Sequence, residues 1–238
     1  MKNVLLFIAI ALLAVTSINA EIPPCCTTVV HEDFEDGNRD GWSDNCICYC
    51  DGYSLDVTYS EPDASYVLMH EGGGSAGGGN CEVYSTGLVV GDGAIEARIR
   101  NVRAYHPTAK AMGLALRVNE ATGVQYICWL TVAGDLFLYK TANWTTCGPT
   151  PLAHASLAPI LEGDEFTLRF SAVGDSLCVQ IGYNWCLVYV DPAPLPAGSA
   201  GVLATAGITY FDDIYIMDCD CPSVTEATSF GAIKAMFR

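Results

Sequence analysis

The chain of 238 residues is acidic, with 27 Asp and Glu against 11 Lys and Arg and a formal net charge of −16 at pH 7. Such a surface repels phosphate backbones, which argues against nucleic acid as a partner and leaves neutral sugars and divalent cations acceptable. Only 16% of the residues are charged and 23 are Gly, a composition that favours a β protein over one with solvated helices.

The first segment has the features of a secretory signal peptide. Lys2 precedes an apolar run from Val4 to Val15, and a group of small residues ends at Ala20. A membrane-spanning helix needs about 20 apolar residues, so this run is too short for one. We therefore expect residues 1–20 to be removed as a signal peptide and the mature chain, which has no later transmembrane segment, to be secreted or held at the cell surface.

The cysteines predict a disulfide-rich extracellular fold, because all 12 lie beyond this leader and disulfides persist in oxidising compartments. Cys46, Cys48 and Cys50 alternate along the chain. In a strand, neighbours of this kind are about 6.5–7 Å apart, too far to bridge one another, so we expect partners distant in sequence, near the chain ends. Zinc binding and redox chemistry are weaker alternatives, since zinc-knuckle and Cys-x-x-Cys spacings are absent. The predicted disulfide residues are Cys25, Cys26, Cys46, Cys48, Cys50, Cys81, Cys128, Cys147, Cys178, Cys186, Cys219 and Cys221.

After residue 50 the hydrophobic pattern has a period of two, which is typical of β-strands. Many short strands separated by Gly-containing turns predict an all-β, two-sheet antiparallel β-sandwich, as one domain over residues 21–221. Residues 71–80 are a predicted Gly-rich loop and residues 149–159 a predicted irregular crossover. The predicted strands are 28–35, 53–59, 66–70, 82–89, 93–102, 111–119, 124–132, 135–140, 165–173, 175–181, 184–190, 200–206 and 208–217.

Four motifs follow one another in an order that resembles the concanavalin A-like lectin/glucanase (laminin-G-like) superfamily. They are Glu32–Gly37 with Gly41-Trp42, Gly93–Arg100, Gly113–Val118, and Gly201–Leu203 with Tyr210–Ile214. The resemblance covers residues 28–218. It implies a jelly roll, in which two curved antiparallel sheets pack together and the concave face commonly receives a carbohydrate.

The resemblance does not extend to a catalytic centre. Members similar to family-16 glycoside hydrolases carry Glu-x-Asp-x-x-Glu on one strand, because retaining cleavage needs two carboxyl groups about 5–5.5 Å apart. The corresponding strand here, residues 123–131, has no carboxylate, and no nucleophile-elbow motif lies near a histidine. The sequence favours a non-catalytic, lectin-like carbohydrate-binding module with a glycan or glycoconjugate as partner. A glycan-active hydrolase and a structural disulfide-rich surface protein are the alternatives.

The same strand offers a candidate ligand site. A hairpin with its loop at residues 119–123 would place Gly113 opposite Trp129. One exposed, concave face would then carry Arg117, Gln125 and Trp129, which we predict to bind the ligand. The ring can stack on a sugar and the polar groups can bond its hydroxyls. The alternative is an ordinary sheet surface with a half-covered tryptophan.

The resemblance also implies one structural calcium ion. In the proteins that this chain resembles, an acidic residue near the first strand and an aspartate opening the last strand hold calcium. The matching metal ligands are Asp33, with Glu32 as its neighbour, and Asp212, with Asp213 as its neighbour. Calcium prefers six to eight oxygen ligands, which two strands and their carbonyls can supply. The alternative is that Asp33 and Asp212 cap strand ends and face solvent.

The C-terminal tail, residues 222–238, follows the last predicted strand and lies outside the sandwich. It is first polar and then apolar and basic. Its ending is similar to short C-terminal tails of some bacterial extracellular proteins, which implies a sorting or attachment signal. The alternative is a frayed amphipathic turn.

Overall fold

A computed structural model of the protein describes residues 26–46, 53–72, 81–85, 87–144, 150–182 and 184–219. These residues form strands and no helix, so none of them makes a helix able to cross a membrane. The predicted leader, the C-terminal tail and five of the predicted disulfide residues, Cys25, Cys48, Cys50, Cys147 and Cys221, lie outside the described residues. So do the side chains of Cys81 and Cys186.

The predicted all-β sandwich is confirmed, because the strands form two antiparallel sheets. In chain order the strands are β1 (Cys26–Glu32), β2 (Trp42–Cys46), β3 (Ser54–Ser60), β4 (Ser65–Glu71), β5 (Cys81–Ser85), β6 (Gly93–Ala104), β7 (Ala111–Val118), β8 (Gln125–Thr131), β9 (Asp135–Thr141), β10 (Ala153–Ser156), β11 (Glu165–Val173), β12 (Ser176–Ile181), β13 (Asn184–Val190), β14 (Ser199–Thr205) and β15 (Gly207–Cys219).

The two sheets have different strand orders. Sheet A runs β13-β12-β11-β6-β15-β4-β3, and β1 also pairs with β15. Strand β4 pairs with Ile208–Phe211 and β1 with the later part of β15, so the first strand continues the line of β4. Sheet B runs β10-β9-β8-β7-β14-β5-β2.

Alternation along the strands builds the core between the sheets. The inward residues of the predicted hairpin are all at most 2% exposed and belong to the main hydrophobic cluster: Leu114, Leu116, Tyr126, Cys128 and Leu130. Their inward positions leave the intervening residues of β7 and β8 to the outer face of sheet B, which is the face turned away from sheet A.

One disulfide joins the first strand to the last. Cys26 and Cys219 are direct cross-strand partners in the β1–β15 pairing and are bonded, although 193 positions separate them in sequence. Cys26 and Cys219 therefore pair with each other, so neither is the distant partner that was expected for Cys46, Cys48 or Cys50. Cys46 is also disulfide-bonded.

Cys128 differs from the prediction that all twelve cysteines form disulfides. Cys128 is a free thiol with no exposed surface, because its strand position points into the core among leucines. Burial raises the pKa of the Cys128 thiol to about 12, so the reactive thiolate does not form at neutral pH. The predicted disulfide at Cys128 is wrong.

Candidate carbohydrate site on sheet B

Trp129 lies on the outer face of sheet B. The β7–β8 pairing sets Gly113 opposite Trp129, which is the predicted register. The ring is half-buried and packs on a small apolar cluster of that face. The members of this outer cluster are Ala115, Val118, Ile127 and Leu203, with Tyr139 and Trp144 packed against it.

A β-bulge removes Arg117 from that face. In the pairing of β7 with β14, Ser199 lies opposite Val118 and Ala200 opposite Leu116, so Arg117 is an extra residue. Its φ of 53° is left-handed, a backbone state found in bulges. The extra residue shifts the alternation, and Val118 takes the outward position that the regular pattern gave to Arg117.

The Arg117 guanidinium instead ties together three connections at one end of the sandwich. Only 6% of the residue is exposed. It donates hydrogen bonds to the carbonyl oxygens of Gly91 at 3.0 Å, Leu195 at 2.9 Å and Gly174 at 3.0 Å, and it pairs with Asp92 at 3.1 Å. Four of its five N–H donors are occupied by protein partners and the side chain is buried, so the structure gives Arg117 a structural position.

Gln125 is buried as well, with 1% of its surface exposed. It lies at the start of β8 opposite Thr141 of β9, whose hydroxyl donates to the Gly123 carbonyl at 2.7 Å. Of the three predicted ligand-binding residues, the structure places only Trp129 on an accessible surface.

Two further rings extend the surface around Trp129. Phe137 of β9 lies opposite Trp129 and also opposite His154 of β10, so the three side chains form one row across three strands. The Phe137 and His154 rings stack with centroids 4.5 Å apart, and Tyr139 lies 5.7 Å from Phe137. We call Trp129, Phe137 and His154 the aromatic row.

A line of hydrogen-bonding side chains runs next to the aromatic row. The Asp135 carboxylate is 3.1 Å from His154 Nε2 and accepts a hydrogen bond from the Ser156 hydroxyl at 3.2 Å. The Asp135 backbone N–H donates to Thr131 Oγ1 at 3.0 Å. We call Thr131, Asp135 and Ser156 the polar row. The arrangement offers a row of rings with hydroxyl and carboxylate groups along one side.

The opposite side of the outer cluster is closed by Trp144. Its ring stacks on Tyr84 of β5 with centroids 5.6 Å apart, and its Nε1 donates to the Glu120 carbonyl at 3.3 Å. Gly123, at φ 77°, allows this approach, because an added Cβ would lie 2.5 Å from the Trp144 ring. Trp144 therefore covers the cluster that Trp129 borders.

Sequence reasoning missed Phe137, His154 and Asp135 as site residues. The alternating stretch Asp135–Lys140 and its short turn to β8 would have placed Phe137 opposite Trp129. Strand β10 carried no such signal, because it has only four residues within the segment that we expected to be irregular. That expectation is wrong for Ala153–Ser156.

The site lacks the carboxylate pair of a retaining glycosidase. The three strands at the centre of sheet B, β7, β8 and β14, contain no Asp or Glu. Ser156 hydrogen-bonds Asp135 rather than His154, so these three side chains do not form the nucleophile–base pair that acyl transfer needs.

The residues implied as calcium ligands have protein partners. Both Asp212 oxygens are engaged, Oδ1 by the Asp213 N–H at 2.7 Å and Oδ2 by the Ser65 hydroxyl at 3.1 Å and by Arg98. Asp33 Oδ1 accepts the N–H of Glu35 at 3.2 Å. In the described part of the chain, no group of three or more His, Cys, Asp or Glu side chains could hold a metal. A calcium ion would have to displace Arg98, so these side chains do not fit it as they are arranged.

Comparison with known proteins identifies the fold of this chain. No protein-family model matches the chain, and no curated protein sequence does. Among solved structures it is similar to "Cellulose induced protein, Cip1" (TM-score 0.59, 15% identity, 79% of this chain and 96% of that one). It is also similar to the carbohydrate-binding module CBM66 from Bacillus subtilis (TM-score 0.52, 14% identity, 70% of this chain and 97% of that one). A third similar structure is Bacillus licheniformis β-glucanase (TM-score 0.53, 9% identity, 79% of this chain and 97% of that one). The chain therefore has the concanavalin A-like jelly-roll fold that its motifs predicted.

Proposed function

We propose that the protein is a secreted or cell-surface, non-catalytic module that binds carbohydrate through the outer face of sheet B. The aromatic row beside the polar row is the observation that supports this function. Aromatic rings stack on the C–H faces of sugars, and hydroxyl and carboxylate groups at their side bond the sugar hydroxyls.

The solved neighbours and the disulfide add support. A carbohydrate-binding module and a β-glucanase share the fold, and their printed names concern glycans. The Cys26–Cys219 disulfide favours an oxidising compartment, in agreement with the leader that the sequence predicts.

A glycan-active hydrolase is the second candidate, favoured by the β-glucanase neighbour alone. The absence of carboxylates from β7, β8 and β14 argues against it. Hydrolysis would release new reducing ends from a bound glycan, whereas a binding module would leave the glycan intact.

A glycan array followed by calorimetry tests the proposal. The wild-type protein should bind at least one glycan, and Trp129→Ala and Phe137→Ala should each weaken binding about tenfold or more, as central aromatic contacts do. Tyr59→Ala is the matched control, because Tyr59 is a 53% exposed aromatic residue on sheet A, and it should bind as the wild type does.

Circular dichroism of each variant shows that it is folded before its binding is compared. Failure of the wild type to bind any glycan would contradict the proposal. Full binding by a folded Trp129→Ala variant would place the ligand elsewhere.

A further inference from the structure

Asp135 is the charged acceptor in the polar row. Its side chain is 41% exposed, and its Oδ1 atom is shared by His154 and Ser156. Oδ2 has no hydrogen-bond partner among the described residues. A carboxylate oxygen therefore faces solvent beside the aromatic row, at the place where a ligand stacked on the rings would present its substituents.

The Lys and Arg side chains of the described residues lie away from the two rows, and the one basic group beside Asp135 in this part of the chain is the His154 ring. Lys140, the nearest in sequence, turns to Asp191 at 2.8 Å and lies over the Tyr126 ring. Lys110 is fully buried, and Arg103 lies over the Tyr105 ring. The others are in ion pairs: Arg39 with Asp44, Arg98 and Arg100 with Asp63 and Glu165, Arg117 with Asp92, and Arg169 with Glu96.

This charge distribution should make the binding affinity depend on the charge of the glycan. A uronate or sulfate group stacked near Phe137 would meet the Asp135 carboxylate and no described Lys or Arg, on a chain with a net charge of −16. A protonated amine in the same place would gain an opposite charge, and it could also lie over the faces of the rings. Neutral sugars would fall between these two.

We propose that the site prefers glycans that carry positively charged amino groups, and that Asp135 is the residue that determines this preference. The inference rests on the proposed function, because it concerns the same aromatic row. The ligand class is a polysaccharide or oligosaccharide of amino sugars with free amines, and acidic glycans should bind more weakly.

Three oligosaccharides of equal length test the proposal by calorimetry at low salt: a deacetylated chito-oligosaccharide with protonated amines, its fully N-acetylated counterpart and a uronic acid oligomer. The deacetylated ligand should bind about threefold tighter than the N-acetylated one, since an exposed ion pair contributes modestly. The uronic acid oligomer should bind most weakly, and high salt should reduce the differences.

Asp135→Asn should abolish the preference for the amine, so that the variant binds the deacetylated and the N-acetylated ligand within about twofold of each other. Asp218→Asn is the matched control. It changes the net charge equally at an exposed position of β15, on the other sheet, and should keep the preference.

Each outcome has one meaning. Equal binding of the two chito-oligosaccharides by the wild type overturns the inference and leaves the proposed function standing. A preference that survives Asp135→Asn also overturns it, because the overall negative charge would then be the cause. Absence of binding to all three ligands and to a glycan array removes the proposed function and the inference with it.

Discussion

Acid should destabilise this protein through His70, a histidine that the fold keeps neutral. The residue is 1% exposed on β4, opposite Leu55 and Thr209 on the neighbouring strands. Burial, and secondly the charge of Lys110, lowers its pKa from 6.5 to about 4. Neither ring nitrogen has a hydrogen-bond partner among the described residues, and the backbone of His70 itself raises the pKa by less than burial and Lys110 lower it.

The lowered pKa fixes both the sign and the size of the effect. Between pH 6.5 and about 4 the unfolded chain binds a proton at His70 and the native protein does not. The stability associated with neutral His70 is therefore complete above pH 6.5 and is lost as the pH falls through this window. At 1.36 kcal/mol per pH unit, a gap of about 2.5 units corresponds to about 3 kcal/mol in the free energy of unfolding.

His70→Leu removes the titrating group with little change of volume. Urea unfolding at pH 7, 6, 5 and 4 gives the free energy of unfolding of variant and wild type. The free energy of unfolding of the variant, relative to that of the wild type, should rise by about 3 kcal/mol from pH 7 to pH 4. At pH 7 the variant should already be at least as stable as the wild type, because an unpartnered polar ring leaves the core. A difference that stays constant to within about 0.5 kcal/mol over this range would refute the reasoning.

Three further predictions concern residues with assigned partners. Arg117→Met should lower the free energy of unfolding by about 3–5 kcal/mol, because Asp92 and three carbonyls lose their partner. The folded variant should still bind glycan, and a loss of binding with unchanged stability would contradict this prediction. In the Cys26→Ser/Cys219→Ser double variant, the free energy of unfolding measured by chemical denaturation should fall by about 5 kcal/mol, because the disulfide closes a loop of 193 residues and so lowers the entropy of the unfolded chain. A decrease below about 1 kcal/mol would count against this prediction. If calcium binds at Asp33 and Asp212, the melting temperature should be higher in millimolar calcium than in chelator. If Arg98 remains paired with Asp212, the melting temperature should be the same in both, so thermal melting under the two conditions decides between them.

Much of the fold follows from local pattern. A period of two predicts strands, and the loop at residues 119–123 sets Gly113 opposite Trp129, so the positions of Leu114 and Leu116 in the core follow without further information. The superfamily motifs then imply two sheets packed face to face. Because such patterns are local and repetitive, they can be recognised in a single amino-acid sequence.

The site depends on features that such patterns do not contain. Arg117 leaves the predicted face because of one bulge, and strict alternation cannot locate a bulge that forms against β14, a strand more than 80 positions away. His154 joins the site through β10, a strand too short for a periodic signal. Trp129 was predictable because its neighbours were regular, and the residues that complete the surface were not.

The outer faces of the two sheets carry different chemistry, and the difference begins in their strands. On β6, Ala97 and Ile99 are fully buried while the intervening Arg98 and Arg100 form ion pairs on the outside of sheet A. On β8, the outward positions hold Ile127 and Trp129 instead.

This separation of charged from aromatic faces bears directly on ligand choice. An acidic glycan would need a cation beside the rings, yet Arg98 and Arg100 lie on the far side of the core, held by acidic partners there. Placing a positive charge beside the aromatic row therefore requires a substitution in the neighbouring polar row. Thr131→Lys should accordingly improve binding of uronic acid oligomers relative to N-acetylated chito-oligosaccharides, by about threefold at low salt. If the charge of the ligand made no difference in this variant, the polar row would not be where the ligand's substituents lie.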